Sequence, residues 1–255
     1  MSISTVILGQ APRLYWKLDD PTGPAASDSS GFGNPGVYGG QFQLAQPGPE
    51  AGTYACVISD GGLIQTVGNT PVAARPYSMT IWVVAERINP AQIAIMYDGN
   101  GNSRGMGVLW NSADPTSEAI QTLVGGVVVR PILGQIAIGA AWHHVALTNN
   151  AATGATKLYL DGVQLEAPLL APNVIAATDK FSVGSGLSGA LWYAAHAALF
   201  NVELTAAQVL AQFNAPAALQ APPPVSAFGI TQINTILGDL TGLLGWVTRD
   251  LRNTP

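Results

Sequence analysis

Two histidines stand side by side in Trp142-His143-His144-Val145. Imidazole is both a metal ligand and a proton carrier near neutral pH, so the pair raises metal binding and general-base catalysis together. The run Trp142–Thr148 reads as a strand, however, and successive strand residues point to opposite faces. His143 and His144 therefore cannot both reach one metal ion in a regular strand. Structural hydrogen bonding is the expectation for both, and for His196, which stands alone among alanines.

Carboxylates are the next chemistry to test. Glycoside hydrolysis needs two of them flanking one bond, about 5–9.5 Å apart. The glutamates are Glu50, Glu86, Glu118, Glu166 and Glu203, and none has another acid closer than four residues. Asp19-Asp20 is the one tight acidic pair, and in an extended chain its side chains point apart. No Gly-x-Ser-x-Gly, phosphate-binding loop or dinucleotide glycine pattern occurs in a suitable setting. The sequence therefore predicts no enzyme activity. Calcium is the one cofactor in question. The loops SDSSGFGN and YDGNGNSRG offer oxygens from Asp28, Asn34, Asp98, Asn100 and Asn102. Calcium takes about six to eight oxygens. The second loop resembles half an EF-hand, but Leu109 stands where the twelfth-position acid would be. The competing reading is that Gly and Asn supply turns.

Composition sets limits. Charged residues make up 10% of the 255, against about 25% in ordinary soluble domains. A weakly charged exterior suits a protein packed in an assembly, where charges would have to be desolvated. The net charge is −5 and the basic residues are scattered, so no nucleic-acid footprint exists. Cys56 is alone, which excludes an intrachain disulfide. No apolar run reaches the roughly 18 residues of a membrane span. The N-terminal segment MSISTVILGQAPR lacks a basic stretch and a long apolar core, so synthesis in a cytoplasm without a signal peptide is expected.

These sites must be carried by short strands. Alternating or apolar runs occur at Tyr54–Ser59, Tyr77–Ala85, Ala91–Tyr97, Gly105–Trp110, Ala119–Val124, Val127–Leu133, Trp142–Thr148, Thr156–Leu160, Lys180–Val183 and Ala190–Phe200. Clusters rich in Gly and Asn separate them, which predicts an all-β antiparallel sandwich. Asp161-Gly162 predicts a type I′ hairpin turn. Residues 204–214 form a short helix capped by Thr205, with Val209, Leu210 and Phe213 on one face. The domain so defined covers 1–220, and a Pro-rich hinge follows at 221–227. Over 228–255 the apolar positions Ile230, Ile233, Leu237, Leu240, Leu244, Val247 and Leu251 alternate at spacings of three and four. That is a heptad seam, predicting an amphipathic oligomerisation or docking helix with a trimer favoured.

The quoted segments carry a resemblance. LYWKLDDPTGPAASDSSGFGNPGVYGG, YSMTIWVVA, WHHVALTNNAATGATKLYLDGVQL and FSVGSGLSGALWYAAHAALFNVELTAAQV follow in the order found in laminin-G-like, concanavalin A-like lectin/glucanase domains. The chain resembles that family from about residue 5 to 215. The resemblance implies a two-sheet antiparallel jelly roll of about 12 strands or more. Relatives often place Asp-Glu in the closing strand, where this sequence has Trp192 and Tyr193. Sugar binding would use an aromatic platform and amide partners, for which Tyr97, Trp110, Asn111, Trp192 and Tyr193 are the candidates. The chain also resembles jelly rolls of phage minor tail proteins. The function expected is a non-enzymatic virion protein, a minor tail or tail-fibre component, with other tail proteins and a host cell-surface glycan as partners. The alternative is a bacterial carbohydrate-binding module. Fold alone decides neither.

Overall fold

The computed structural model describes residues 1–72, 74, 76–88, 92–99, 105–114, 117–124, 127–128, 134–137, 141–165, 169–170, 175–176, 178–184 and 190–221. The chain divides into two units, Met1–Pro222 and Pro223–Pro255. The heptad seam from Ile230 to Leu251 lies outside the described residues.

The first unit runs α1 (Ile3–Gly9), β1 (Leu14–Trp16), β2 (Ala25–Ala26), β3 (Gly36–Pro47), β4 (Tyr54–Thr66), β5 (Tyr77–Ile88), β6 (Gln92–Gly99), β7 (Gly105–Asp114) and β8 (Ser117–Val124). It continues through β9 (Val127–Val128), β10 (Gly134–Ala137), β11 (His143–Asn149), β12 (Ala155–Leu160), β13 (Val163–Gln164), β14 (Leu169–Leu170), β15 (Lys180–Gly184), β16 (Ala190–Phe200) and α2 (Ala206–Phe213). The main path across the sheet is β10-β8-β7-β6-β15-β4-β16-β5-β11-β12-β13.

β4 explains how one path makes two layers. Residues Cys56–Ser59 pair with β16, whereas Leu63–Gln65 pair with β15. Gly61 and Gly62 lie between. Gly61 has φ +80° and Gly40 on β3 has φ +68°, and the β3–β4 register slips between Gly39 and Gln41. A Cβ on Gly40 would stand 2.1 Å from the Gly61 carbonyl oxygen, so only glycine fits there. Both strands turn together at this corner. On one side lie β16, β5, β11, β12, β13 and β1; on the other lie β15, β6, β7, β8 and β10.

The two layers enclose the core. Cys56, Ile58, Met79, Ile81, Val83, Val145, Leu147 and Trp192 come from one side, and Ile95, Met106, Val108, Ile120, Phe181 and Val183 from the other. The result is the antiparallel sandwich that the alternation predicts, in the two-sheet jelly-roll form that the resemblance implies. Asp161 and Gly162 have φ +52° and +78°, as the type I′ turn requires.

Helices cover the outer face of the first layer. α2 begins with a capping box between Thr205 and Gln208. It buries Val209 and Gln212, while Leu210 is exposed, a correction to the apolar face expected for this helix. Phe213 stacks on Trp82, with ring centroids 6.0 Å apart. α1 is not foreseen by a run of β-branched residues. Ser2 caps it, Ile3 and Ile7 are buried one turn apart, and both Glu50 carboxylate oxygens accept from the Ile3 N–H at 3.1 Å. Tertiary capping and burial outweigh the local strand preference.

Candidate functional site

The two histidines go to separate structural tasks. His143 Nδ1 lies 2.7 Å from Asp161 Oδ2, while the backbone N–H of His144 donates to Asp161 Oδ1 at 2.8 Å. One carboxylate thus staples the strand to the hairpin turn. The His144 ring lies fully buried, with Nε2 3.0 Å from Gln212 Oε1 on α2. His196 is also buried, with Nδ1 2.7 Å from the Tyr15 hydroxyl, which in turn lies 2.8 Å from Ser4 Oγ on α1. Burial holds His144 down at about 4, against opposing effects from Gln212 and Asp161. Burial, aided by Lys17 and His144, holds His196 at about 3. These neutral rings tie both helices to the sheet. Among the described residues no group of three His, Cys, Asp or Glu is placed to hold a metal ion.

The SDSSGFGN loop is built around Asp28, and this corrects its calcium assignment. Oδ1 accepts from the N–H groups of Tyr15 and Ser30 at 2.9 Å; Oδ2 accepts from Ser30 Oγ and the Asn34 N–H at 2.8 Å. Four protein donors fill the carboxylate. Asn34 is turned inward too: its Nδ2 donates to the Arg13 carbonyl at 2.7 Å, and its own carbonyl accepts from Trp16 Nε1 at 2.9 Å. The Asp28 carboxylate thus holds a closed turn together rather than standing open to a cation.

Asp98, assigned to calcium with Asn100 and Asn102, is fully buried. Thr70 Oγ1 donates to its Oδ2 at 2.6 Å, and its Oδ1 has no partner. Burial lifts this carboxyl to about 8; the Thr70 hydrogen bond opposes the shift and the Asp179 carboxylate adds to it. Asn100 and Asn102 lie outside the described residues.

The aromatic platform is corrected as well. Trp192 is 1% exposed and belongs to the core, because the closing strand turns it inward beside Ala194. Tyr193 points to the opposite side but is 3% exposed, edge-on to Trp142 at 6.2 Å. Tyr97 is buried against Ala94, Leu109 and Leu123. None offers a face to a sugar. The backbones of Trp110 and Asn111 lie in β7 opposite Ile93 and Gln92, and their side chains are outside what the structure describes.

A different ring is presented at the surface. Phe32 is 53% exposed at the tip of the Asp28 loop, between Gly31 (φ +86°) and Gly33 (φ +74°). The Arg13 guanidinium lies 4.5 Å from its centroid. With the Asn201 amide turned so that its oxygen faces Arg13, that oxygen accepts from Nη2 at 3.1 Å and Nε at 3.2 Å. Arg13 is further pinned through its backbone, which donates to the Leu199 carbonyl at 2.8 Å. Sequence reasoning missed this trio because Phe32 reads as a turn residue and its two partners are distant in sequence.

Residues 59–210, more than half of the chain, match the family model described as concanavalin A-like lectin/glucanases superfamily. The chain belongs to that superfamily. Solved structures similar to this concanavalin A-like chain include domain 4 of AbnA, a GH43 extracellular arabinanase from Geobacillus stearothermophilus, in complex with arabinotriose. The identity is 18%, the TM-score 0.57, and the match covers 79% of this chain and 97% of that one. The botulinum neurotoxin type G receptor binding domain matches at 12% identity and TM-score 0.55, over 80% of this chain and 51% of that one. The binding domain of botulinum neurotoxin DC in complex with rat synaptotagmin II matches at 16% identity and TM-score 0.56, over 82% of this chain and 52% of that one. This concanavalin A-like chain thus spans about half the length of the toxin domains. At these identities the likeness is one of fold. Among curated proteins none matches. Arg13 and Phe32 lie before the first residue of the family match, and Asn201 lies inside it.

Proposed function

We propose that this chain is a non-enzymatic carbohydrate-binding module. The observation that carries the reading is the correspondence of 79% of this chain with 97% of an arabinanase domain whose structure holds arabinotriose. The state of the acids supports it. Asp28 is saturated with hydrogen bonds, Asp98 is buried in the second layer, and Glu86 is buried on β5 of the first. Burial raises Glu86, and neither of its oxygens has a partner. No two of these three acids share a strand, as a cleft-facing pair spaced two apart would. Binding of the full chain to a glycan array, with hydrolysis assayed on each glycan bound, tests the reading. Saturable binding without turnover is expected; turnover, or binding to no glycan, would overturn it.

The setting we propose is a virion, with the chain as a minor tail or tail-fibre component. Low charge content and the heptad pattern from Ile230 to Leu251 favour it over a free bacterial module. Tail genes beside the coding gene are the expected finding; a neighbourhood of polysaccharide-degrading enzymes would favour the bacterial module. In the virion setting the full chain is a trimer, and replacing Leu240 and Leu244 with Asp yields a monomer by light scattering.

A further inference from the structure

We propose that Phe32, Arg13 and Asn201 form a binding site for a carboxylate-bearing saccharide, with Phe32 as the stacking face and Arg13 as the anion partner. The proposal rests on the carbohydrate-binding reading and adds the ligand class and the place. Three observations carry it.

The first is exposure on a rigid base. Phe32 shows 53% of its surface to solvent, on a loop fixed by four donors to Asp28 and by its own N–H donating to Ser30 Oγ at 3.2 Å. A large apolar ring is thus held outward in a defined orientation, which limits the entropy lost on binding. A ring presented in this way suits the C–H face of a sugar.

The second is unspent charge. Arg13 forms no ion pair among the described residues, and the nearby Asp28 carboxylate is filled by other donors. Its Nε and Nη2 are spent on a neutral amide, and Nη1 has no hydrogen-bond acceptor among the described residues. An arginine held by a neutral partner and an aromatic ring keeps its full positive charge for an incoming anion.

The third is arrangement. The guanidinium lies over one face of the Phe32 ring, 4.5 Å from its centroid, and leaves the opposite face and the rim to a ligand, so a saccharide packed there would bring its carboxylate to Arg13 past the rim of the ring. A neutral saccharide would use the ring and leave the cation unmatched.

The test uses the full chain and isothermal titration. The probes are trigalacturonate, its carboxyl-reduced counterpart, 3′-sialyllactose and arabinotriose. At least one of the two acidic probes should bind, at least about tenfold tighter than the neutral ones, a factor that one charge-assisted hydrogen bond supplies. Arg13→Gln should remove that preference, and Arg13→Lys should restore part of it. Phe32→Ala should weaken acidic and neutral probes alike, and Phe32→Tyr should retain binding. Because the Phe32 ring is exposed, the Phe32 variants should melt like the parent; because arginine stays charged, the preference should hold from pH 5 to pH 8. Binding of neutral probes as tightly as acidic ones, or an acidic preference that survives Arg13→Gln, would overturn this inference and leave the carbohydrate-binding reading standing. Binding of neither class by the parent chain would overturn this inference, and the absence of any bound glycan on the array as well would overturn the carbohydrate-binding reading.

Discussion

His144 Nε2 and Gln212 Oε1 lie 3.0 Å apart and join strand β11 to helix α2 across 68 residues of sequence. Gln212 Nε2 goes on to donate to Gln10 Oε1 at 2.7 Å, just past the end of α1, so one chain of polar groups, buried at His144 and Gln212 and partly exposed at Gln10, holds both helices. Replacing Gln212 with Leu would leave the buried His144 Nε2 without its partner and take the donor from Gln10 Oε1. The expected cost is about 1–3 kcal/mol in urea unfolding. A variant as stable as the parent would show that apolar contacts alone hold α2.

His144 and His196 set an acid limit. They stay neutral in the folded state down to about 4 and about 3, whereas in the unfolded chain they titrate near the ordinary 6.5. As pH falls below 6.5 the unfolded state therefore takes up protons first, and stability declines towards pH 4. Urea midpoints taken between pH 7 and pH 4.5 should fall, and the fall should be smaller in a His196→Gln variant. An equal fall in both would remove His196 as a source.

Asp98 acts with the opposite sign. Its folded-state value of about 8 lies above the ordinary carboxyl value near 3.9, so the folded protein holds the extra proton. Its contribution is present at low pH and is lost as pH rises towards 8. Asp98→Asn keeps an acceptor for Thr70 and removes the titration. The stability of the variant relative to the parent should improve steadily from pH 5 to pH 8.5; a gap independent of pH would contradict the assignment.

The Asp28 turn is expected to be structural and calcium-independent. Asp28→Ala leaves four donors without an acceptor and should cost about 2–4 kcal/mol. Chelator should leave the melting temperature of the parent unchanged. A rise in melting temperature with added calcium, lost in the Asp28 variant, would restore the cation reading.

Strand alternation and turn residues made most of the layers legible, because burial on one face of a strand imposes a period of two. The Asp161-Gly162 hairpin was readable for the same kind of local reason. β3 was not, since Gly36, Gly39 and Gly40 look like a turn until β4 is paired against them. The site was the least legible part. The type and spacing of Trp192 and Tyr193 suggested a platform, but the sequence does not say which strand face is covered by core and which by neighbours. Asp28 looked like a ligand because the four N–H and O–H groups that fill it come from the backbone and from Ser30. Phe32 gained its meaning only from Arg13 and Asn201, which the fold brings to it.

We propose that this jelly roll binds carbohydrate without transforming it. Titration of the full chain with arabinotriose, trigalacturonate and 3′-sialyllactose, followed by chromatography of each recovered sugar, tests it most directly. Saturable heat with at least one sugar, and every sugar recovered intact, is the predicted result. Shortened sugars, or no binding to any of the three nor to a glycan array, would contradict it.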